Sequence, residues 1–436
     1  MTRSFAGFEV EEVHGTPLLW RRDQRCKTFR ISLLLQRPMG AGQAARALLP
    51  LLLQHGSEQH QGRPALARAR ERLFGAGGGT GCGRHGESTV LSFAADAVAG
   101  EFLPQRPDQF TAVRDLLQEL LLRPRFRDAR AGAELFARER SQALAAARAV
   151  WDDKAHYARQ RAVAAACAGE PYGVPDHGGE AAIAALLPHQ PAAMLDDALH
   201  DGRRLLLMSG VLPDDPAAAI APLLAALPRG SAASNGAAPV PPMAPAARPV
   251  GRTVEYAPMQ QAKLVLVFRM PRPVAPGALH ALQIALSLWG GGAHSRLFQE
   301  VRERRSLCYY AAAGGDADKG LCMVQVGCDA EQVEAVTAAT LEQLAAVAGG
   351  DCSDAELATA VATCQGPFRS LDDSPAGRLA YTAEQWLRGF DETPAQRVAG
   401  LGAVARDAVT AAAASIALDH EYRLLPAPTA AAEAQR

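Results

Sequence analysis

Two stretches of the chain carry the same order of hydrophobic and polar segments. Phe29-Arg-Ile-Ser-Leu-Leu-Leu-Gln-Arg-Pro38 is a strand-like run ending in proline, and Ala262-Lys-Leu-Val-Leu-Val-Phe-Arg-Met-Pro271 is another. Each precedes an apolar segment with the length of a helix (44–53 and 278–288), then a glycine or a glycine cluster. A charged helix is predicted next, over 64–74 and again over 295–305. Strand pairs follow, with Val90-Leu-Ser-Phe-Ala-Ala-Asp96 matching Met323-Val-Gln-Val-Gly-Cys-Asp329. Pro38 to Pro271 is 233 residues, and Asp96 to Asp329 is again 233. Two distant landmarks with one offset predict a duplicated domain.

Alanine-rich helices close each half, over 128–166 with 180–187, then over 329–347 and 354–362. Strands followed by helix pairs predict an α+β fold, with two homologous domains in tandem. Between them, 228–249 (PRGSAASNGAAPVPPMAPAARP) is rich in Pro, Ala, Gly and Ser and lacks any hydrophobic period, as a linker does. The expected layout is a first domain over 1–227, a linker over 228–249, a second domain over 250–425 and a frayed tail over 426–436.

Composition narrows the function. With 48% hydrophobic and 21% charged residues, the 436-residue chain is not predominantly disordered. Its 45 basic and 46 acidic residues give 45 − 46 = −1, which removes the electrostatic case for nucleic acid or an anionic membrane as partner. No run approaches the roughly 18 apolar residues of a membrane span. The N-terminus has no apolar core and runs into Glu11 and Glu12, so no secretory signal is expected and a cytoplasmic location is the default. The eight cysteines form no C-x-x-C pair and are expected as buried thiols.

Candidate metal ligands are sparse. His55 and His60 are five apart, about 140° round a helix, and Gly56 separates them. Cys82, His85 and Glu87 form a denser cluster, read as strand or turn residues in preference to a metal site. His177 is expected to hydrogen-bond within its loop. Cys322 and Cys328 are expected in the core.

Leu297-Phe-Gln-Glu-Val-Arg-Glu-Arg-Arg-Ser-Leu-Cys-Tyr309 resembles the L-F-x-x-x-R-E-x-x-G-L-x-Y signature of the insulinase/pitrilysin family of zinc peptidases. Gly290-Gly-Gly-Ala-His-Ser-Arg296 is similar to that family's glycine-rich loop, and Gly169-Glu-Pro-Tyr-Gly173 resembles its P-Y-G turn. The resemblance implies two similar α+β domains, each an antiparallel-rich sheet with helices on one face, forming half of a clamshell. Catalytic members carry H-x-x-E-H on the first apolar helix: two histidines one turn apart hold zinc and the Glu polarises water. Here, counting back from Gly56-Ser57, those positions hold Ala47-Leu48-Leu49-Pro50-Leu51. The stretch expected to carry a third ligand, Ala145-Ala146-Ala147-Arg148, has no carboxylate. The resemblance therefore implies a chain with no cofactor of its own and no activity alone.

The same resemblance implies that Arg302 and Tyr309 are transition-state donors, a guanidinium and a phenol placed where negative charge develops. It implies zinc in a homologous partner subunit that bears H-x-x-E-H, a peptide substrate, and peptide contacts at Gly290, Gly291 and Gly292, although a helix cap and tight turn account for those glycines equally well. Ser306-Leu-Cys-Tyr-Tyr310, Lys319-Gly-Leu321, and Val150-Trp-Asp-Asp-Lys154 with Tyr157 resemble, more narrowly, the bacterial non-catalytic members associated with elongation factor P aminopentanol modification. The alternatives are a structural or peptide-binding module without proteolysis and, less favoured by the missing motif, an autonomous zinc peptidase.

Overall fold

The computed structural model describes residues 3–228 and 249–427. The expected linker (228–249) and tail (426–436) therefore lie, apart from their ends, outside the described residues. The first half runs β1 (Arg3–Phe5), β2 (Phe8–Val13), β3 (Thr16–Arg22), β4 (Thr28–Pro38), α1 (Gln43–Leu53), α2 (Arg63–Arg72), β5 (Gly77–His85) and β6 (Ser88–Val98). Helices α3 (Gln109–Leu122), α4 (Ala129–Ala149), α5 (Lys154–Ala166), α6 (Glu180–Ala184) and α7 (Gln190–Asp201) follow, then β7 (Arg203–Gly210) and α8 (Pro216–Ala226). The second half gives β8 (Gly251–Ala257), β9 (Ala262–Arg269), α9 (Pro276–Gly290), a π-helical turn (Leu297–Arg304), β10 (Tyr310–Asp316) and β11 (Leu321–Cys328). It ends with α10 (Val333–Ala348), α11 (Asp354–Arg369), α12 (Pro375–Arg388), α13 (Pro394–Gly402), α14 (Arg406–Ala414) and β12 (Ala417–Pro426).

The duplication is written in the sheet topology. One sheet has the order β1-β2-β3-β7-β4-β6-β5 and the other β10-β11-β9-β12-β8. Read from β5 and from β10, five strands correspond one for one, and among the described residues β3–β7 and β8–β12 are the lone parallel pairs. The first sheet adds the β1–β2 hairpin outside β3. Arg30 faces Asp96 across β4 and β6, whereas Lys263, its counterpart 233 residues on, faces Gly327 and not Asp329. The slip is two residues, so every side chain keeps its face of the sheet.

Each sheet is apolar on both faces, because its central strands carry continuous apolar runs such as Leu33–Leu35, Leu205–Met208 and Leu264–Phe268. In the first sheet, Ile31, Leu33, Leu35 and Phe93 pack with Leu48, Leu49 and Leu52 of α1 and with Val113 and Leu117 of α3. In the second, Leu264, Leu266 and Phe268 pack with Leu288 and Trp289 of α9 and Val336 of α10. Most helices thus lie on one face of each sheet, as expected. The opposite face takes one helix each. Leu34, Leu205 and Leu207 cluster with Leu379 of α12, while Val265, Val267 and Leu424 cluster with Ala158, Ala162 and Ala166 of α5.

These single helices make the compact units discontinuous in sequence. Of the described residues, one unit comprises 3–148, 176–228 and 371–393, and the other 149–175, 249–370 and 394–427. The first unit thus takes in α12 from late in the chain, and the second takes in α5 from the N-terminal half. In the second unit α5 is tied down at both ends. Tyr157 and Arg161 bind Glu255 of β8 at 2.9 and 2.6 Å, and Arg269 of β9 binds Glu170 and the Ala166 carbonyl at 2.6 and 2.7 Å. Lys319 joins Glu170 at 2.5 Å. The Gly169–Gly173 turn singled out in the sequence thus carries the carboxylate that fastens α5 to the second sheet.

Candidate functional site

Helix α1 is glued to its sheet by Ala44, Ala45, Leu48, Leu49, Leu52 and Leu53, all buried. At 100° per residue this stripe turns Ala47, Pro50 and Leu51 to the other side of the helix, where they are half-buried. Those are the positions at which a zinc-binding helix would show its two imidazoles and its carboxylate. Here the side chains are a methyl, a pyrrolidine ring and an isobutyl group, none with a lone pair. Pro50 also lacks the N–H that would close the helical bond to the Arg46 carbonyl.

The histidines near α1 are engaged elsewhere. The helix ends at Leu53, and Gly56 adopts φ +85, where a Cβ would lie 1.9 Å from the His60 carbonyl oxygen. His60 Nδ1 meets Glu119 at 3.1 Å, and the same carboxylate takes the Ser57 hydroxyl and the Gln59 N–H. His55 is buried against Glu139, Nε2 to Oε1 at 2.7 Å, and Arg138 lies 3.0 Å from Nδ1. The same guanidinium lies 2.7 Å from Nε2, so the ring is held between a carboxylate and a cation. Burial, reinforced by the Arg138 charge against the opposing pull of Glu139, lowers the His55 pKa and favours the neutral ring.

Glu139 is a residue the sequence reading passed over. It shares a stripe with Gly132, Leu135 and Phe136, the buried face of α4, so a carboxylate in register with that apolar stripe was the available signal. Further along the same helix, Ala145–Ala147 offer no ligand and Arg148 pairs with Glu180 at 2.6 Å. Among the described residues no group of three His, Cys, Asp or Glu side chains is arranged to hold a metal ion. In the Cys82–His85–Glu87 cluster, burial pushes the Cys82 thiol up to about 11, so it stays protonated at neutral pH. His177 accepts from the Gly179 N–H at 3.1 Å, within its loop. Cys322 and Cys328 are fully buried in the core of the second unit.

The second unit holds the candidate donors. The charged helix expected over 295–305 is wound as a π-helix, with the Arg305 N–H bonded to the Glu300 carbonyl five residues back at 3.3 Å. Such turns are rare and occur often at functional sites. Arg302 lies on it, partly exposed, its guanidinium 4.6 Å from the Phe298 ring centroid and 3.5 Å from Glu303. Ser306 then turns the chain at φ +50, a conformation that favours glycine. Tyr309 is 51% exposed and donates from its hydroxyl to Asp329 at 3.0 Å. That hydrogen bond and the Asp329 charge raise the phenol pKa, so it keeps its proton across the neutral range.

The three glycines divide. Gly290 is buried, and a Cβ there would lie 2.5 Å from Ala313, so this residue is required by close packing of α9 on β10. Gly291 and Gly292 are exposed, and Gly292 adopts φ +142. Any backbone surface the loop offers begins at Gly291.

The Peptidase M16 inactive domain model matches residues 210–364. "Probable inactive metalloprotease YmfF" of Bacillus subtilis is 24% identical over 408 residues, covering 92% of this chain and 94% of its own. Over nearly its whole length the chain is thus similar to an inactive homologue of the insulinase-type M16 peptidases. This M16 homologue has no H-x-x-E-H in its sequence, and the relatives it resembles are described as inactive. A conserved protein from Enterococcus faecalis shares its fold, with a TM-score of 0.87 at 23% identity over 95% of this chain and 97% of that one. So does a Pseudomonas fluorescens structure described as a peptidase M16 inactive domain, with a TM-score of 0.79 at 20% identity over 97% and 98% of the two chains.

Proposed function

We propose that this M16 homologue is the non-catalytic subunit of a bacterial peptidase pair. It binds an extended peptide and supplies Arg302 and Tyr309 to a zinc ion held by a homologous subunit that bears H-x-x-E-H. The observation that carries the reading is a contrast within one chain. The α1 positions that should ligate a metal present only hydrocarbon, while a guanidinium and a protonated phenol stay accessible in the second unit.

The chemistry asked of this chain is electrostatic. In acyl transfer the carbonyl oxygen gains charge as the tetrahedral intermediate forms, and fixed N–H and O–H donors stabilise that charge. Arg302 is positioned by stacking on Phe298 and needs no deprotonation. Tyr309 would exchange its bond to Asp329 for one to the substrate oxygen. Peptide contacts are assigned to the backbone of Gly291 and Gly292, with Gly290 setting the loop's position. The partner is expected to be encoded nearby, in the setting of elongation factor P modification that the sequence resemblance implies, and both subunits are expected in the cytoplasm.

The test is to purify the chain alone and together with its H-x-x-E-H-bearing neighbour, and to assay cleavage of unfolded peptides. The reading expects activity only in the pair, with its zinc on the neighbour. Cleavage by the neighbour alone at the rate of the pair would overturn it, leaving this chain without a part in catalysis.

A further inference from the structure

A cavity of about 670 Å³ lies in the first unit between α2 and α3, with Ala226 of α8 at its border, and includes none of the motif positions on α1. It is independent of the proposed catalytic pairing. One wall is a stripe of α3, Ala112, Leu116, Glu119 and Leu122, at helical spacing; the other is Ala69, Arg72 and Leu73 of α2. Leu73, Leu116 and Leu122 are only half-buried, so the groove has an apolar floor open to solvent.

Two guanidinium groups at this groove have no carboxylate partner among the described residues. Its carboxylates are already engaged: Asp115 takes two bonds from Arg114, at 2.9 and 2.6 Å, and Glu119 holds Ser57, Gln59 and His60. Arg72 and Arg123 line the same groove, and neither guanidinium has a partner among the described residues.

We propose that this groove binds a small organic anion with an apolar body, of the medium-chain carboxylate class. Its charged end meets Arg72 and Arg123, and its chain lies along Leu73, Leu116 and Leu122. The volume is in the range of small-molecule sites, roughly 300–1,000 Å³. A guanidinium is the side chain best matched to a carboxylate, through paired N–H donors.

Equilibrium dialysis of the full chain against radiolabelled octanoate tests this, with acetate and 1-octanol as competitors. One saturable site is expected. Acetate and 1-octanol should each compete at least about tenfold more weakly than octanoate, because each lacks one of the two features. The R72Q/R123Q variant should weaken octanoate binding at least about tenfold, and since both side chains are exposed its melting temperature without ligand should be unchanged. Should that variant misfold, the wild-type affinity must still fall as ionic strength rises. Absence of saturable binding, equal competition by 1-octanol, undiminished binding by the folded variant, or affinity indifferent to salt would each overturn the proposal.

Discussion

Tyr309 and Asp329 are joined by a 3.0 Å hydrogen bond in which the phenol is the donor. Asp329 follows β11 and is the landmark that marks the repeat, 233 residues after Asp96, which pairs with Arg30 at 2.9 Å. The two repeats have thus put the same carboxylate to different uses. In the proposed pair this bond is the resting state of a catalytic donor. Tyr309→Phe should lower the pair's turnover by roughly 10² with little change in KM, the usual cost of losing a donor to an oxyanion. The same substitution should shift stability by less than about 0.5 kcal/mol, since the site is on the surface. Steady-state kinetics and a thermal melt separate the two effects, and an unchanged turnover removes Tyr309 from the chemistry.

Ser306 occupies a left-handed conformation, at φ +50, between the π-helical turn and Tyr309. A side chain there costs about 1–2 kcal/mol, and glycine gives back part of the gain through its freer unfolded chain. Ser306→Gly should therefore stabilise the protein by about 0.5–1 kcal/mol in a denaturant titration; a loss of stability would mean the serine hydroxyl has a role of its own.

Glu170 should govern acid stability in the second unit. Burial alone would raise its carboxyl, but hydrogen bonds and charge from Arg269 and Lys319 outweigh this and hold it below the ordinary carboxylate range. A carboxyl depressed in the folded state contributes fully above its unfolded value of about 4.3 and loses that contribution as pH falls through the folded value. Glu170→Ala leaves two cations facing each other and should cost about 3 kcal/mol at neutral pH. Below about pH 4 the difference between variant and wild type should narrow. A gap independent of pH would show that packing, not charge, carries the effect.

The interleaved units predict how the chain can be divided. Without α12 the first sheet exposes Leu34, Leu205 and Leu207, and without α5 the second exposes Val265, Val267 and Leu424. The fragments 1–228 and 249–436, expressed separately, should aggregate or melt without cooperativity. In the first fragment α5 has no sheet to cover, and in the second α12 has none. Coexpressed, they should assemble into a particle of native mass. A well-folded, cooperatively melting single fragment would contradict this.

Much of this architecture is legible in the sequence, and the reasons are local. The runs before Pro38 and Pro271 are strands because their centres, Leu33–Leu35 and Leu264–Phe268, are continuous apolar stretches suited to a buried pleat. That these α1 positions offer no metal ligand is legible directly, since Ala47, Pro50 and Leu51 state their chemistry by identity alone. Long-range choices are less visible. Nothing in Ala158, Ala162 and Ala166 says which sheet their helix will cover, because a small-residue face fits either. His55 and Glu139 are 84 residues apart, and only the fold brings them to 2.7 Å. The charged run around Arg302 likewise gives no sign of the π-helical winding there, in which Leu297 and Val301 are the buried residues.

Metal analysis and peptide cleavage on the full-length chain, purified alone and saturated with zinc before gel filtration, test the central claim most directly. The account predicts that no zinc is retained and no peptide is cleaved until an H-x-x-E-H-bearing partner is added. One tightly held zinc per chain, with cleavage by the lone protein, would contradict it.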